Sequence, residues 1–215
     1  MNTQLVIFDL DGTILNTIAD LAESTNHALV TLGYPAHPTD AYRMMVGNGV
    51  AKMIERALPA EARSADNIRR MQQLFVPHYD AHNADLSTPY DGIIELMQQL
   101  QARGIALAVA SNKYQAAAEK LVAHYFPVNF AAVLGQREGI PSKPDPTIVH
   151  DILRLTGISP EAVLYVGDSG VDMLTARNAS VRACGVTWGF RPKSELEQYE
   201  PQHFVDTPAE ILELL

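Results

Sequence analysis

Cysteine is nearly missing from this 215-residue chain: Cys184 stands alone. No internal disulfide can form, and a reducing compartment, the cytoplasm, is the expected location. Cys184 lies in the apolar run Ala183-Cys184-Gly185-Val186 and reads as a buried, inert thiol. Long apolar runs are missing too. None approaches the roughly 18–20 residues that a membrane span needs, so no membrane partner is expected. The opening Met1-Asn2-Thr3-Gln4 has no basic region and no small-residue cleavage site, so no export signal is expected either. Basic charge is scarce: 16 Lys and Arg stand against 25 Asp and Glu, a formal net charge of −9. That balance argues against nucleic acid as a partner, because affinity there rests on basic surface. It does not exclude a small anion, for which local charge decides. There are no internal repeats or low-complexity tracts. Neither a P-loop nor a Gly-x-Gly-x-x-Gly after a strand is present, so no nucleotide cofactor is expected.

Short apolar runs recur, among them Leu5-Val6-Ile7-Phe8, residues 106–110, Ala132-Val133-Leu134, Val163-Leu164-Tyr165-Val166 and residues 183–186. Continuous rather than alternating apolar runs predict strands buried on both faces, as in a parallel sheet. Amphipathic helices are expected between them. Ile93, Leu96, Met97 and Leu100 keep helical spacing and Gly104 follows as a stop; Ile148, Ile152 and Leu155 repeat the pattern between Pro146 and Gly157. Thr207-Pro208-Ala209-Glu210 reads as a capping box opening a last helix. Alternating strands and helices predict an α/β fold with a doubly wound parallel sheet. The alternation is interrupted once. Ile18, Leu21, Ala22, Thr25, Leu29 and Leu32 form a helical stripe that Gly33 stops, and further helical pieces are expected near 50–58 and 67–76. Pro35, Pro38, Pro59 and Pro77 punctuate the stretch. Residues 15–85 are therefore expected to form an inserted all-α domain, and residues 1–14 with 86–215 the α/β core.

In open α/β sheets ligands bind outside the carboxyl ends of the strands. Asp9-Leu10-Asp11-Gly12-Thr13 follows the first run, Ser111-Asn112-Lys113 the second, and Gly167-Asp168-Ser169 with Asp172 a later one; Lys143-Pro144-Asp145-Pro146 precedes a helix. Taken singly, Asp168 and Ser111 could be helix caps, Asp145 a turn residue and Lys143 a surface charge. Together they predict a site. Two like charges about 4 Å apart repel by roughly 4 kcal/mol at an effective dielectric near 20, so carboxylates gathered at one edge call for a cation. Oxygen-only ligands select a hard ion such as Mg²⁺. Lys143 could neutralise phosphoryl oxygens, and Ser111 with the amides of a helix N-terminus could hold another.

These motifs resemble, in order and over nearly the whole chain, the four signatures of the haloacid dehalogenase-like superfamily of phosphotransferases. The resemblance implies that Asp9 is a nucleophile forming an aspartyl-phosphate, that Asp11 is the acid and then the base, and that Ser111 and Lys143 bind the transferred group. It implies Mg²⁺ held by Asp9, the Asp11 carbonyl and Asp168, with Asp172 bound through water or in support. It implies that Thr13 orients the acid/base region, and that the insertion is a cap closing over the site. Asp11-Gly12-Thr13-Ile14-Leu15-Asn16-Thr17, Gly47-Asn48-Gly49-Val50 and Lys143-Pro144-Asp145-Pro146 are similar to the phosphoglycolate phosphatase-like branch, although Asp is commoner at the position of Asn16. The expected partner is a small phosphorylated metabolite, and the assembly a monomer or homodimer. Thr13, Asn112, Gly47 and the cap cations Arg43 and Lys52 are the candidate substrate-binding residues. A pyrophosphatase and a hexose-phosphate phosphatase or mutase of the same superfamily stay open. A phosphonoacetaldehyde-cleaving enzyme with Lys52 as Schiff base and an inactive binding relative are disfavoured. His78 and His82, four apart, read as an exposed helix face rather than a zinc site.

Overall fold

A computed structural model describes residues 3–215. The first buried run forms β1 (Leu5–Phe8), whose four residues are all inaccessible. Val6 and Phe8 enter one apolar cluster and Leu5 and Ile7 the cluster on the opposite face, as period-two alternation requires when both faces are covered. After β1 the chain forms β2 (Leu15–Asn16), then α1 (Ile18–Thr31), α2 (Val50–Ala57) and α3 (Ala65–His82), and returns through β3 (Thr88–Pro89). Then α4 (Ile93–Ala102), β4 (Ala106–Tyr114), α5 (Gln115–Tyr125), β5 (Ala132–Gln136), α6 (Thr147–Thr156), β6 (Val163–Gly167), α7 (Gly170–Asn178), β7 (Arg182–Val186), α8 (Lys193–Leu196) and β8 (His203–Val205) complete the core.

The main sheet has the order β5-β4-β1-β6-β7-β8 with every pairing parallel. Ile93, Leu96, Met97 and Leu100 of α4 pack on one face with Leu121 of α5. Ile148 and Ile152 of α6 pack on the other with Met173 of α7. The fold is thus the doubly wound α/β sheet that the sequence predicts. β1 lies between β4 and β6, where the chain's direction across the sheet reverses, and this is where such sheets open a crevice at their carboxyl ends. Among the described residues no helix is long and apolar enough to cross a membrane.

The three inserted helices share a separate apolar cluster that includes Leu21, Leu29, Tyr42, Ile54, Phe75 and Tyr79, joined from the core by Ala117 and Phe190. The two crossing segments are tied together. β2 and β3 pair antiparallel, and the buried Asp20 carboxylate accepts the Leu86 N–H (2.9 Å), the Ser87 N–H (2.8 Å) and the Ser87 hydroxyl (2.6 Å).

Several local expectations need correction. Pro77 does not punctuate but sits inside α3. Its missing N–H and ring clash cost about 3 kcal/mol, which is offset because Met71, Phe75 and Tyr79 bury one continuous face. The final segment Pro208–Leu214 is a 3₁₀ helix, and Thr207 donates its hydroxyl to Glu210 Oε1 (2.8 Å) rather than capping an N–H. Leu155 is exposed, and the buried face of α6 uses Ile148, Val149 and Ile152 instead. Strand β8 and the β2–β3 pair are too short to show a pattern in the sequence.

Candidate functional site

Asp9 continues the ladder beyond β1, its N–H donating to Val166 O (2.9 Å), and its side chain emerges at the sheet edge. Oδ1 accepts from Leu10 N–H (2.7 Å) and lies 2.9 Å from Lys143 Nζ, whereas Oδ2 accepts no hydrogen bond among the described residues. Lys143, almost wholly buried, also meets Asp172 Oδ1 (2.7 Å), Ala110 O (2.8 Å) and the Tyr165 hydroxyl (3.1 Å). Asp172 spends its other oxygen on the Ser169 N–H (3.2 Å) and hydroxyl (2.6 Å), closing a capping box at the start of α7. Asp168 accepts from the Thr13 hydroxyl (3.3 Å) and from Phe190 N–H (2.7 Å).

Asp9, Asp168 and Asp172 each offer an oxygen within 4.8 Å of the others. This concentration of buried charge shows in their protonation. Burial lifts the Asp9 carboxyl well above its ordinary value and Asp172 adds to the rise, against the pull of Lys143. Burial and Asp172 push Asp168 up to about 7. Burial alone would lower Lys143, but Asp172 and Asp9 outweigh it and hold the ammonium well above its usual range. Three ionised carboxylates and one ammonium leave two formal negative charges, which a divalent cation matches. The donors are all oxygen, the set that suits a hard ion such as Mg²⁺. Asp168 and Asp9 have spare lone pairs to offer, while Asp172 is already held on both oxygens and is better placed to support than to ligate.

Gly12 makes the close approach possible. It has φ +88°, and a Cβ there would collide with the Asp168 carboxylate and the Phe190 ring. Gly189 is equally confined, since a Cβ would meet the Asp168 side chain and, at 2.6 Å, Gly12 O. Nothing in the sequence pattern singles out Gly189 or Phe190, because they reach Asp168 only through the loop after β7.

Asp11 lines the same pocket as Asp9. Its Oδ1 accepts from the Thr17 hydroxyl (2.6 Å) and faces Lys113 Nζ (3.2 Å), and its Oδ2 is unengaged among the described residues. Lys113, unremarked in the Ser111-Asn112-Lys113 motif, is buried and donates to the Tyr79 hydroxyl of α3 (2.7 Å). A pocket of about 450 Å³, including its open mouth, is lined by Asp9, Asp11, Ser111, Asn112, Lys113 and Tyr114. From the inserted segment Leu21, Val46, Gly47, Gly49, Val50, Met53, Phe75 and Tyr79 complete it.

Ser111 lines the pocket from the irregular end of β4, and α5 starts at Gln115. Asn112 points its amide at Gly47 O (2.9 Å) and pairs with the Lys143 backbone through Oδ1 (2.9 Å) and Nδ2 (3.1 Å). It therefore joins the inserted loop to the lysine segment. Gly47 lines the pocket and Thr13 serves Asp168. Arg43 pairs with Asp40 (3.3 Å) and lies over Phe190, and Lys52 pairs with Glu55 (2.7 Å) on an exposed helix face; neither lines the pocket. Helix periodicity places such residues only on a face, and which faces meet the core is a tertiary matter. His78 stacks on His27 (4.1 Å) and lies against His82 (4.6 Å), away from this pocket.

The model of the haloacid dehalogenase-like hydrolase family matches residues 6–186. A phosphoglycolate phosphatase of Mesorhizobium japonicum is 35% identical over all of this chain and 97% of its own length. One from Agrobacterium fabrum is 38% identical over 90% of this chain and 85% of its own. The crystal structure of a candidate phosphoglycolate phosphatase from Lactobacillus delbrueckii subsp. bulgaricus superposes with a TM-score of 0.94 at 31% identity, covering 100% and 98% of the two chains. With β1, Lys143 and the acidic edge all lying within the matched span, the chain belongs to the haloacid dehalogenase-like hydrolase family.

Proposed function

We propose that this chain is a Mg²⁺-dependent phosphoric monoester hydrolase that cleaves a small phosphate ester of the phosphoglycolate type through an aspartyl-phosphate on Asp9. The observation that carries it is Asp9 at the pocket that Asp11 also lines, its Oδ1 2.9 Å from the buried Lys143 ammonium and its Oδ2 unengaged among the described residues. Asp9 Oδ2 attacks phosphorus, and the bond to the ester oxygen breaks as Asp11 gives that oxygen a proton. Asp11 then takes a proton from water, whose oxygen attacks the phosphoryl group and restores Asp9. Ser111 and Lys143 hold the non-bridging oxygens as charge moves onto them. Mg²⁺ held by Asp9, Asp168 and the Asp11 carbonyl, with Asp172 in support, would offset the repulsion between the carboxylate and the anionic ester. Residues 15–85 act as the cap and residues 1–14 with 86–215 as the catalytic core, a division supported by the separate apolar cluster of the inserted helices.

The test is phosphate release from phosphoglycolate, hexose phosphates, nucleotides and pyrophosphate, ranked by kcat/KM with and without EDTA. Phosphoglycolate or another short monoester should lead and chelation should stop turnover. A best substrate that is pyrophosphate or a hexose phosphate removes the short-ester reading, and activity indifferent to EDTA removes the metal.

Asp168 makes the metal's effect pH-dependent. Its carboxyl is raised to about 7 in the folded chain against an ordinary 3.8, so between these values the unfolded chain releases a proton that the folded one keeps. Stability of the metal-free protein should therefore fall as pH rises through this window and level off above it. A cation favours the ionised form, so the rise in Tm caused by 5–10 mM Mg²⁺ should be several degrees larger at about pH 8 than at about pH 5. Differential scanning fluorimetry at the two pH values checks this; equal shifts would mean that the ion binds elsewhere.

A further inference from the structure

Asp9, Asp11, Ser111 and Lys143 serve the phosphoryl group and the ester oxygen, and the rest of the substrate needs partners of its own. The inserted helices contribute no cation to the pocket: Leu21, Val46, Val50, Met53 and Phe75 present an apolar wall. The pocket's lining cation comes from the core, as Lys113. Its ammonium has three protons, of which one goes to Tyr79 Oη (2.7 Å) and one faces Asp11 Oδ1 (3.2 Å). The Tyr79 hydroxyl accepts that bond, and its own proton meets no acceptor among the described residues. Tyr79 is fully buried and lines the same pocket. Burial also holds its phenol well above the ordinary value, so the proton stays in place. An ammonium proton and a phenol proton are thus both free at one point of the wall, beside the carboxylate that serves the leaving oxygen. Two such donors left unpaired on buried side chains are costly unless a ligand takes them.

We propose that Lys113 and Tyr79 form the subsite for a second anionic group of the substrate, a carboxylate one carbon removed from the ester oxygen. This rests on the phosphatase reading and names its specificity. Asp11 serves the ester oxygen and Lys113 is its immediate neighbour, so an anion attached through a single carbon falls to the ammonium. A longer or uncharged leaving group meets the apolar wall instead. Because Asp11 is the proton donor in the first half-reaction, the ammonium then faces one anion, that of the substrate. The subsite also spans the two parts of the chain, Lys113 on β4 and Tyr79 on α3, so the anion that fills it holds the inserted helices against the core.

Phosphoglycolate and ethyl phosphate test the subsite, since they differ in a terminal carboxylate against a methyl group. The wild type should prefer phosphoglycolate by roughly 10- to 100-fold in kcat/KM, chiefly through KM. In Lys113→Met the preference should shrink to within about threefold, and in Tyr79→Phe it should drop by about three- to tenfold. Equal losses on both esters would overturn the subsite and leave Lys113 as a residue that positions Asp11; a preference surviving both substitutions would overturn it as well. If Lys113→Met does not fold, Tyr79→Phe decides, because it keeps the ring that stacks on Phe75 at 5.2 Å. A wild type that hydrolyses both esters equally refutes the subsite and leaves the phosphatase reading standing. A wild type that hydrolyses neither removes the short-ester reading on which the subsite rests.

Discussion

Asp9→Asn should reduce Mg²⁺-dependent hydrolysis of p-nitrophenyl phosphate by at least about 10⁴-fold while leaving the protein folded. The amide oxygen can still accept from Leu10 N–H and Lys143, and Lys143 keeps its 2.7 Å contact with Asp172. One buried negative charge is gone from a group of three, so the melting temperature should match or exceed that of the wild type. What is lost is the unengaged anionic oxygen proposed to attack phosphorus. p-Nitrophenolate leaves without help from a proton, so the assay reports on the nucleophile apart from the acid. Rates within tenfold of the wild type would remove Asp9 from that role.

Lys143→Met should damage both stability and turnover. The side chain is buried and its ammonium stands between two carboxylates, at 2.9 Å from Asp9 and 2.7 Å from Asp172. Removing one partner of a buried ionic group leaves the others uncompensated and costs about 3–5 kcal/mol. Urea titration in EDTA should show that loss as a lowered midpoint. Turnover should fall by roughly 10³-fold or more, because charge on the phosphoryl oxygens loses its neutralising partner. The double variant Lys143→Met with Asp172→Asn separates the two effects: it should recover much of the stability and none of the activity. Activity returning with stability would show that the lysine serves only the fold.

The fold and the acidic edge were legible because each rests on a pattern local to a few residues. A strand buried on both faces must be apolar at every position, which is why Leu5-Val6-Ile7-Phe8 announces itself and why Asp9 and Asp11 stand out directly after it. Elements without that constraint were not legible. β8 spans three residues, and α3 runs through Pro77 because its packing outweighs a local penalty. Lys113 could have been found, since it is a lysine at the end of an apolar strand in the same motif as Ser111, but a lysine after a strand is ordinarily a surface charge. Its burial against Tyr79, 34 positions away in the chain, is what distinguishes it.

The sequence by itself determined the doubly wound sheet, the inserted helical stretch, and which carboxylates, lysine and hydroxyl stand at strand ends. Periodicity and motif spacing are properties of short segments, and they survive without knowledge of what packs on them. Only the tertiary structure decided which oxygens of Asp9 and Asp11 stay free, that Asp172 is held on both oxygens, and that Gly189 and Phe190 close on Asp168. It also decided that Arg43 and Lys52 turn to partners of their own while Lys113 faces the pocket. Such outcomes depend on residues far apart in the chain meeting in space, as Lys143 meets Asp172, Phe190 meets Asp168 and Lys113 meets Tyr79.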